Sequence, residues 1–250
     1  MYIHTGQKWL DDLMPEGLPT NTSTLISGPG GSGKPLIGEA FVAAWLKSGG
    51  SAVFMSLQYP SRDFIYTSMK RVTGLDLMDF ANKTAFISLN ATIDDMGEIH
   101  DGGFEANLVL PGIWENAIEK ACSMVPEEGP GILVFGSALN LLLFSPSYED
   151  QVLDSMIRTI RDDKRRTYIF SVSTTAKKDK IELMEEVADN LIMSRSEKKP
   201  FRLYMRILRM KDVPFVSDEI LVPIPPGALS DVKEVAEHSR KRVIPLISKI

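Results

Sequence analysis

A mainly parallel α/β sheet with helices on both faces, extended by antiparallel strands at its C-terminal edge, is the fold class the sequence predicts. Short apolar runs alternate with longer stretches of helical periodicity as far as about residue 190. The runs are apolar on successive residues, the pattern of strands covered on both faces. After residue 190 the strand-like runs follow too closely for crossover helices of a dozen or more residues, which leaves antiparallel pairing.

Thr24–Ser27 is an apolar run closed by glycines and reads as the first buried strand. Leu36–Lys47 is helical and stops at Gly49 and Gly50. Ala52–Ser56 is the second strand. Pro60 and Ser61 open an amphipathic helix reaching about Val72 and halted by Gly74. Thr84–Leu89 is the third strand. Asn90 to Gly112 is acidic and glycine-bearing with little periodicity, the mark of a long loop or small insertion. Ile113–Val125 reads as a helix, Gly131–Phe135 as a strand, Tyr148–Arg161 as a helix, Thr167–Val172 as a fifth strand and Ile181–Val187 as a short helix. Asn190–Met193, Arg202–Met210 and Glu219–Ile224 are successive strands. Pro223–Pro226 marks a boundary, dividing a P-loop domain at 1–226 from a helical tail at 227–250. That tail carries a charged helix, Leu229–Arg242, read as peripheral or partner-facing.

Composition narrows the function. The 28 basic and 33 acidic side chains leave a net charge of −5, so no global basic field exists to hold nucleic acid or an anionic membrane. Cys122 is the single cysteine, which excludes an intrachain disulfide and a cysteine-rich zinc site and fits a reducing, cytoplasmic setting. His4, His100 and His238 have no metal-ligand spacing. The apolar stretch Ala138–Phe144 is far short of the roughly 20 residues a membrane helix needs.

The motif that carries chemistry is Gly28-Pro29-Gly30-Gly31-Ser32-Gly33-Lys34-Pro35, set between a strand and a helix. Glycines let backbone N–H groups converge on phosphates, the helix N-terminus favours an anion, and Lys34 adds a point charge. Nucleotide or phosphate contacts are expected along Gly28–Lys34, Pro35 and Leu36. The alternative is a glycine-rich strand–helix turn with an isolated lysine. Ser or Thr, whose hydroxyl holds Mg²⁺, should follow the lysine. Pro35 has no hydroxyl and no N–H, although proline is tolerated in a first helical turn.

The order of several further pieces resembles KaiC-type domains of the RecA superfamily. These are His4-Thr5-Gly6, Leu10–Leu13, Gly17-Leu18-Pro19, Thr24–Gly28, Val53–Leu57 followed by Pro60, Val187–Asn190 and Arg206–Lys211. The resemblance runs to about residue 224. It implies a RecA-like P-loop fold, ATP or ADP as cofactor, and hexameric rings with nucleotide between subunits. On that alignment Arg209 and Lys211 stand where the family reaches a neighbour's γ-phosphate, in swapped order; the alternative is solvated charges on an edge strand. Besides Pro35, two further positions depart from the family. Gln58 replaces the first of a Glu-Glu pair that polarises the attacking water, and an amide cannot take its proton. Gly136 replaces the acid that organises Mg²⁺, with Ser137 after it.

Pro35, Gln58 and Gly136 together predict a degenerate ATPase, a pseudo-enzyme with no catalytic residue assigned and Mg²⁺ poorly held. It would bind nucleotide and serve a regulatory or structural role, as a homo-oligomer or in a ring with a related subunit. The competing readings are a slow ATPase or autokinase recruiting Mg²⁺ through carboxylates such as Asp63, and a recombinase-like DNA-binding accessory. The basic run Arg158, Arg161, Lys164, Arg165 and Arg166 reads as a solvated face, and Tyr168 and Phe170 as core, so nucleic acid is not the expected partner.

Overall fold

A computed structural model describes residues 1–59, 61–198, 201–225 and 227–250. Pro60 and Pro226, invoked above for a helix start and a boundary, lie outside the described residues. In chain order the elements are β1 (Tyr2–Ile3), α1 (Lys8–Asp11), β2 (Leu18–Pro19), β3 (Ser23–Ser27), α2 (Lys34–Lys47), β4 (Ser51–Ser56), α3 (Arg62–Thr73), β5 (Thr84–Leu89), β6 (Gly103–Ala106), α4 (Ile113–Cys122), β7 (Ile132–Gly136), α5 (Glu149–Asp162), β8 (Thr167–Ser171), α6 (Lys178–Val187), β9 (Asn190–Lys198), β10 (Phe201–Arg209), β11 (Ile220–Leu221) and α7 (Ala228–Ile247). Short 3₁₀ turns fill Leu77–Lys83 and Leu139–Phe144.

The large sheet has nine strands in the order β11-β10-β9-β3-β8-β7-β4-β5-β6. From β9 to β6 every pairing is parallel, and β10 and β11 add antiparallel at the other edge. Thr24 sits between Ile169 of β8 and Asn190 of β9, which fixes β3 at the centre of this half of the sheet. The predicted architecture is therefore the observed one.

Strand alternation sends side chains to two cores. Val53, Met55 and Val134 face Trp114, Met156 and Ile160 on the α4–α5 side. Phe54, Phe86 and Phe135 face Phe41, Trp45 and Met69 on the α2–α3 side. Phe54 and Phe86 stack with ring centroids 5.0 Å apart. The two buried indoles each find an acceptor: Trp45 Nε1 donates to the Gly131 carbonyl and Trp114 Nε1 to Thr159 Oγ1, both at 2.9 Å. A tryptophan N–H left bare in such a core would cost about 1–3 kcal/mol.

Three expectations need correction. The stretch read as a loop between Asn90 and Gly112 contains β6, whose Gly103–Ala106 pairs in parallel with Phe86–Leu89. Its backbone groups are satisfied by that neighbour, so local pattern carries little of its strand character. The last strand is only Ile220–Leu221, cut short before Pro223, which has no N–H to donate. The C-terminal helix runs five residues past Arg242, to Ile247, and is not peripheral along its length. It packs against α3 and the Leu139–Phe144 turn. Ile247 is fully buried there, with Val243, Ile244 and Ile250 against the same core.

The basic run at the end of α5 is consumed by ion pairs. Arg158 meets Glu115 at 2.9 Å, Arg161 meets Asp162 at 2.9 Å, and Arg165 and Arg166 meet Glu119 at 2.6 and 2.7 Å. Lys164 bonds Asp189. Tyr168 and Phe170 are buried. Among the described residues, no helix is long and apolar enough to cross a membrane.

Candidate functional site

The phosphate loop leaves the C-terminal end of β3 and enters α2, between β9 on one side and β8 on the other. Gly28 has φ +150°, and a Cβ there would stand 2.2 Å from the Ser194 carbonyl oxygen of β9. Only glycine allows the loop to start this close to its neighbour. Gly30 N–H donates to Thr175 Oγ1 at 2.8 Å, and the Gly28 carbonyl accepts from Thr174 N–H at 3.0 Å. Residues after β8 thus brace the loop from outside. Ser32 Oγ lies 3.2 Å from Ser194 Oγ, and Ser27 Oγ donates to Glu185 of α6.

Lys34 is 5% exposed. Its Nζ donates to the Gly28 and Pro29 carbonyls at 2.9 and 2.6 Å and to Ser32 Oγ at 3.2 Å. Burial, assisted by the positive charge of Arg240, pushes its pKa down to about 7. Pro35 occupies the first turn of α2, as expected of a proline at a helix start. The expected contact Leu36 has its N–H on the Gly33 carbonyl at 3.0 Å and its side chain in the core.

Gln58 lies two residues past the end of β4, beside the loop, and is 6% exposed. With Gly30–Pro35, Asn140, Ser173 and Arg240 it lines a small cavity of about 40 Å³. Asn140 Oδ1 accepts from Ser173 N–H at 3.0 Å, which ties the end of β7 to the end of β8.

Gly136 ends β7, where the resemblance expects an acid. A Cβ at Gly136 would stand 2.9 Å from Leu139 Cδ1 and 3.0 Å from Phe170 Cδ1. An aspartate side chain therefore has no room without moving both. Among the described residues no group of three or more His, Cys, Asp or Glu is placed to hold a metal ion. Pro35 offers no hydroxyl and Gly136 no carboxylate, so these residues do not fit the Mg²⁺ of a hydrolytic P-loop site.

A carboxyl that sequence reading passed over lies one turn beyond Pro35. Glu39 of α2 is buried against α3, where Ser68 Oγ donates to its two oxygens at 2.8 and 2.9 Å. Burial pushes its pKa up to about 8 against the opposing Ser68 bond. Nearby, the Tyr59 hydroxyl is buried with no well-aligned hydrogen bond among the described residues; burial and the Glu39 charge raise its pKa well above the usual phenol value, against the neighbouring Gln58 and Ser137 side chains. The available signal was a single acid inside the apolar run of Leu36–Leu46. Arg240 gave no such signal, because nothing local ties a charged C-terminal helix to a loop near residue 30.

Arg209 and Lys211 do not reach the loop of their own chain. The Arg209 guanidinium donates to the carbonyls of Glu185 and, at 2.7 Å, Ala188. Lys211 Nζ meets Asp189 at 3.0 Å. Burial alone would raise the Asp189 pKa, but Lys164, the Ser23 N–H and Lys211 outweigh it and hold the carboxyl below its ordinary value. Asn190 donates to Thr22 and Thr24 hydroxyls at 3.0 and 2.9 Å. The Val187–Asn190 motif is thus a brace between β3, β9 and the strand end at Lys211.

The geometry has counterparts among known proteins. The circadian clock oscillator protein KaiC of Synechococcus elongatus is 31% identical over 119 residues, covering 47% of this chain and 22% of that protein. The chain thus aligns with about a fifth of that relative's length. A KaiC-like protein from the hyperthermophilic archaeon Pyrococcus horikoshii superposes with a TM-score of 0.66 at 17% identity, over 90% of this chain and 96% of that one. At that identity the likeness is one of fold. A family model described as "ATPase: KaiC" matches residues 3–230, from β1 through the start of α7. With the braced phosphate loop at the head of a RecA-like sheet, this shows that the chain belongs to the KaiC family of ATPase domains.

Proposed function

We propose that this KaiC-family domain binds ATP or ADP at Gly28–Lys34 but has lost efficient hydrolysis, and acts as a regulatory or structural subunit. The observation that carries the reading is the packing around Gly136. The place expected to carry the metal-organising acid is filled by Leu139 and Phe170, a settled apolar arrangement rather than a bare substitution. Pro35 and Gln58 remove the metal hydroxyl and the proton acceptor as well. Nucleotide phosphates would then be held by loop N–H groups and Lys34, with Mg²⁺ contributing little.

The proposed assembly is a homo-oligomer or a ring with a related subunit, in a cytoplasmic setting. Within it Arg209 and Lys211 reach a neighbour's phosphate only by exchanging their bonds to Ala188 and Asp189. The ion-paired basic run on α5 argues against a DNA-binding role.

Steady-state turnover of ATP by the purified chain, beside Lys34→Ala, tests the reading. Background rates in both are expected. Turnover near 1 s⁻¹, ordinary for an enzyme, that Lys34→Ala abolishes would show an intact hydrolytic centre.

A further inference from the structure

The family model ends at residue 230, yet α7 continues to Ile247 and returns across the C-terminal ends of the strands. Its Arg240 lies over the phosphate loop, with one guanidinium nitrogen 3.1 Å from the point a Cβ on Gly30 would occupy. Its charge acts on Lys34.

The helix also divides the space a nucleotide needs. Beneath Arg240 the small cavity is about 40 Å³, whereas small-molecule sites run to roughly 300–1,000 Å³. On one flank of α7 a recess of about 670 Å³ opens between Gly30, Gly31, Thr175 and the helix residues Arg240, Lys241 and Ile244. On the other flank a recess of about 420 Å³ opens between the ends of β4 and β5 and Arg242, Val243 and Leu246. The volumes suited to a ligand therefore adjoin the loop region but are separated by the helix.

The helix is seated at its two ends and exposed between them. Ala228 is 3% exposed and Ile247 fully buried, whereas Glu234 and Glu237 are exposed. Pro245 lies between Arg240 and Ile247. It has no N–H for the Lys241 carbonyl, so the helix lacks one bond between its anchor and the turn that covers the loop.

We propose that α7 is a cap carried in the same chain: docked, it places Arg240 over the phosphate loop and closes it to a nucleoside triphosphate, and ATP enters only when the helix lifts. The inference rests on the nucleotide-binding reading above. It makes the apparent ATP affinity the open-state affinity multiplied by the fraction of open molecules. By reciprocity, ATP favours the lifted helix.

Calorimetric titration of ATP into the full chain, Arg240→Ala and Ile247→Ala tests it, with circular dichroism melts to establish that each variant is folded. Both variants are expected to bind ATP about tenfold more tightly than the unmodified chain, as when an open fraction of about one in ten becomes dominant. Trypsin is expected to cut at Arg240–Arg242 faster when ATP is present, and this acceleration to vanish in Lys34→Ala. Unchanged or weaker binding by folded Arg240→Ala and Ile247→Ala would overturn the cap and leave the binding reading standing; weaker binding by Arg240→Ala alone would make that arginine a phosphate ligand. Absence of ATP binding by all three folded proteins would overturn the nucleotide-binding reading, and the cap with it.

Discussion

Replacing Glu39 by glutamine removes a titrating group from the α2–α3 interface while keeping its shape. The carboxyl is buried, and its pKa stands at about 8 against an ordinary 4.5. The folded protein therefore holds a proton that the unfolded chain has released across that window. Stability from this group is full below the unfolded pKa and is lost as pH rises through the folded one. A gap of roughly 3.5 units at about 1.4 kcal/mol each amounts to on the order of 5 kcal/mol over the whole range. Between pH 6 and 8 the expected share is roughly 2 kcal/mol, because the folded-state group is half-ionised by pH 8. Urea denaturation of the two proteins at both pH values reads it directly. Glu39→Gln should gain about 2 kcal/mol on the unmodified chain between pH 6 and 8. Lys34 titrates in the same window but is common to both proteins and cancels. Parallel pH dependence in the pair would show that Glu39 ionises normally and that its burial is misjudged.

Gly136→Asp should destabilise the fold by about 2–4 kcal/mol in urea, from overpacking against Leu139 and Phe170 and a poorly solvated charge, and should confer no ATP turnover even with Pro35→Thr and Gln58→Glu. ATP affinity should change by less than about twofold, a few tenths of a kcal/mol, when Mg²⁺ is chelated; a large loss in calorimetry would reveal a metal site. Because the Lys34 pKa is held near 7, ATP binding above that pH should take up a proton, and affinity should fall toward tenfold per pH unit, read from titrations in buffers of different ionisation enthalpy. Arg209→Ala should cost about 1–3 kcal/mol of stability by stripping a donor from the Ala188 carbonyl, with sedimentation of the variant separating that loss from any loss of self-association.

The parallel strands other than β6 were readable because each carries an apolar run, bounded in some by glycine or proline, as Gly50 before Ala52–Ser56 and Pro130 before Gly131–Phe135 show. The phosphate loop was readable because its chemistry is local: seven consecutive residues supply the turn, the N–H groups and the lysine. What escaped was set by neighbours distant in sequence. Gly103–Ala106 is a strand because Phe86–Leu89 offers it an edge. Arg240 belongs to the loop because Ile247 anchors its helix in a core built from α4, α5 and the central strands. The roles of Arg209 and Lys211 were open for the same reason, since their partners on the α6–β9 corner are visible only after folding.

Gly136 ends β7, and the chain then turns through Ala138 in the left-handed region, φ 58°, into the 3₁₀ turn Leu139–Phe144. That turn sends Leu139 onto Gly136 and places Asn140 on Ser173 N–H, so the β7 and β8 ends are joined by an amide and an apolar contact. The same turn is the surface on which α7 rests. A carboxylate restored at Gly136 would push on Leu139, and through the turn on the seat of α7. Gly136 and the seat of α7 are thus joined through one short apolar segment, and a perturbation at either should be felt at the other as a change in nucleotide access.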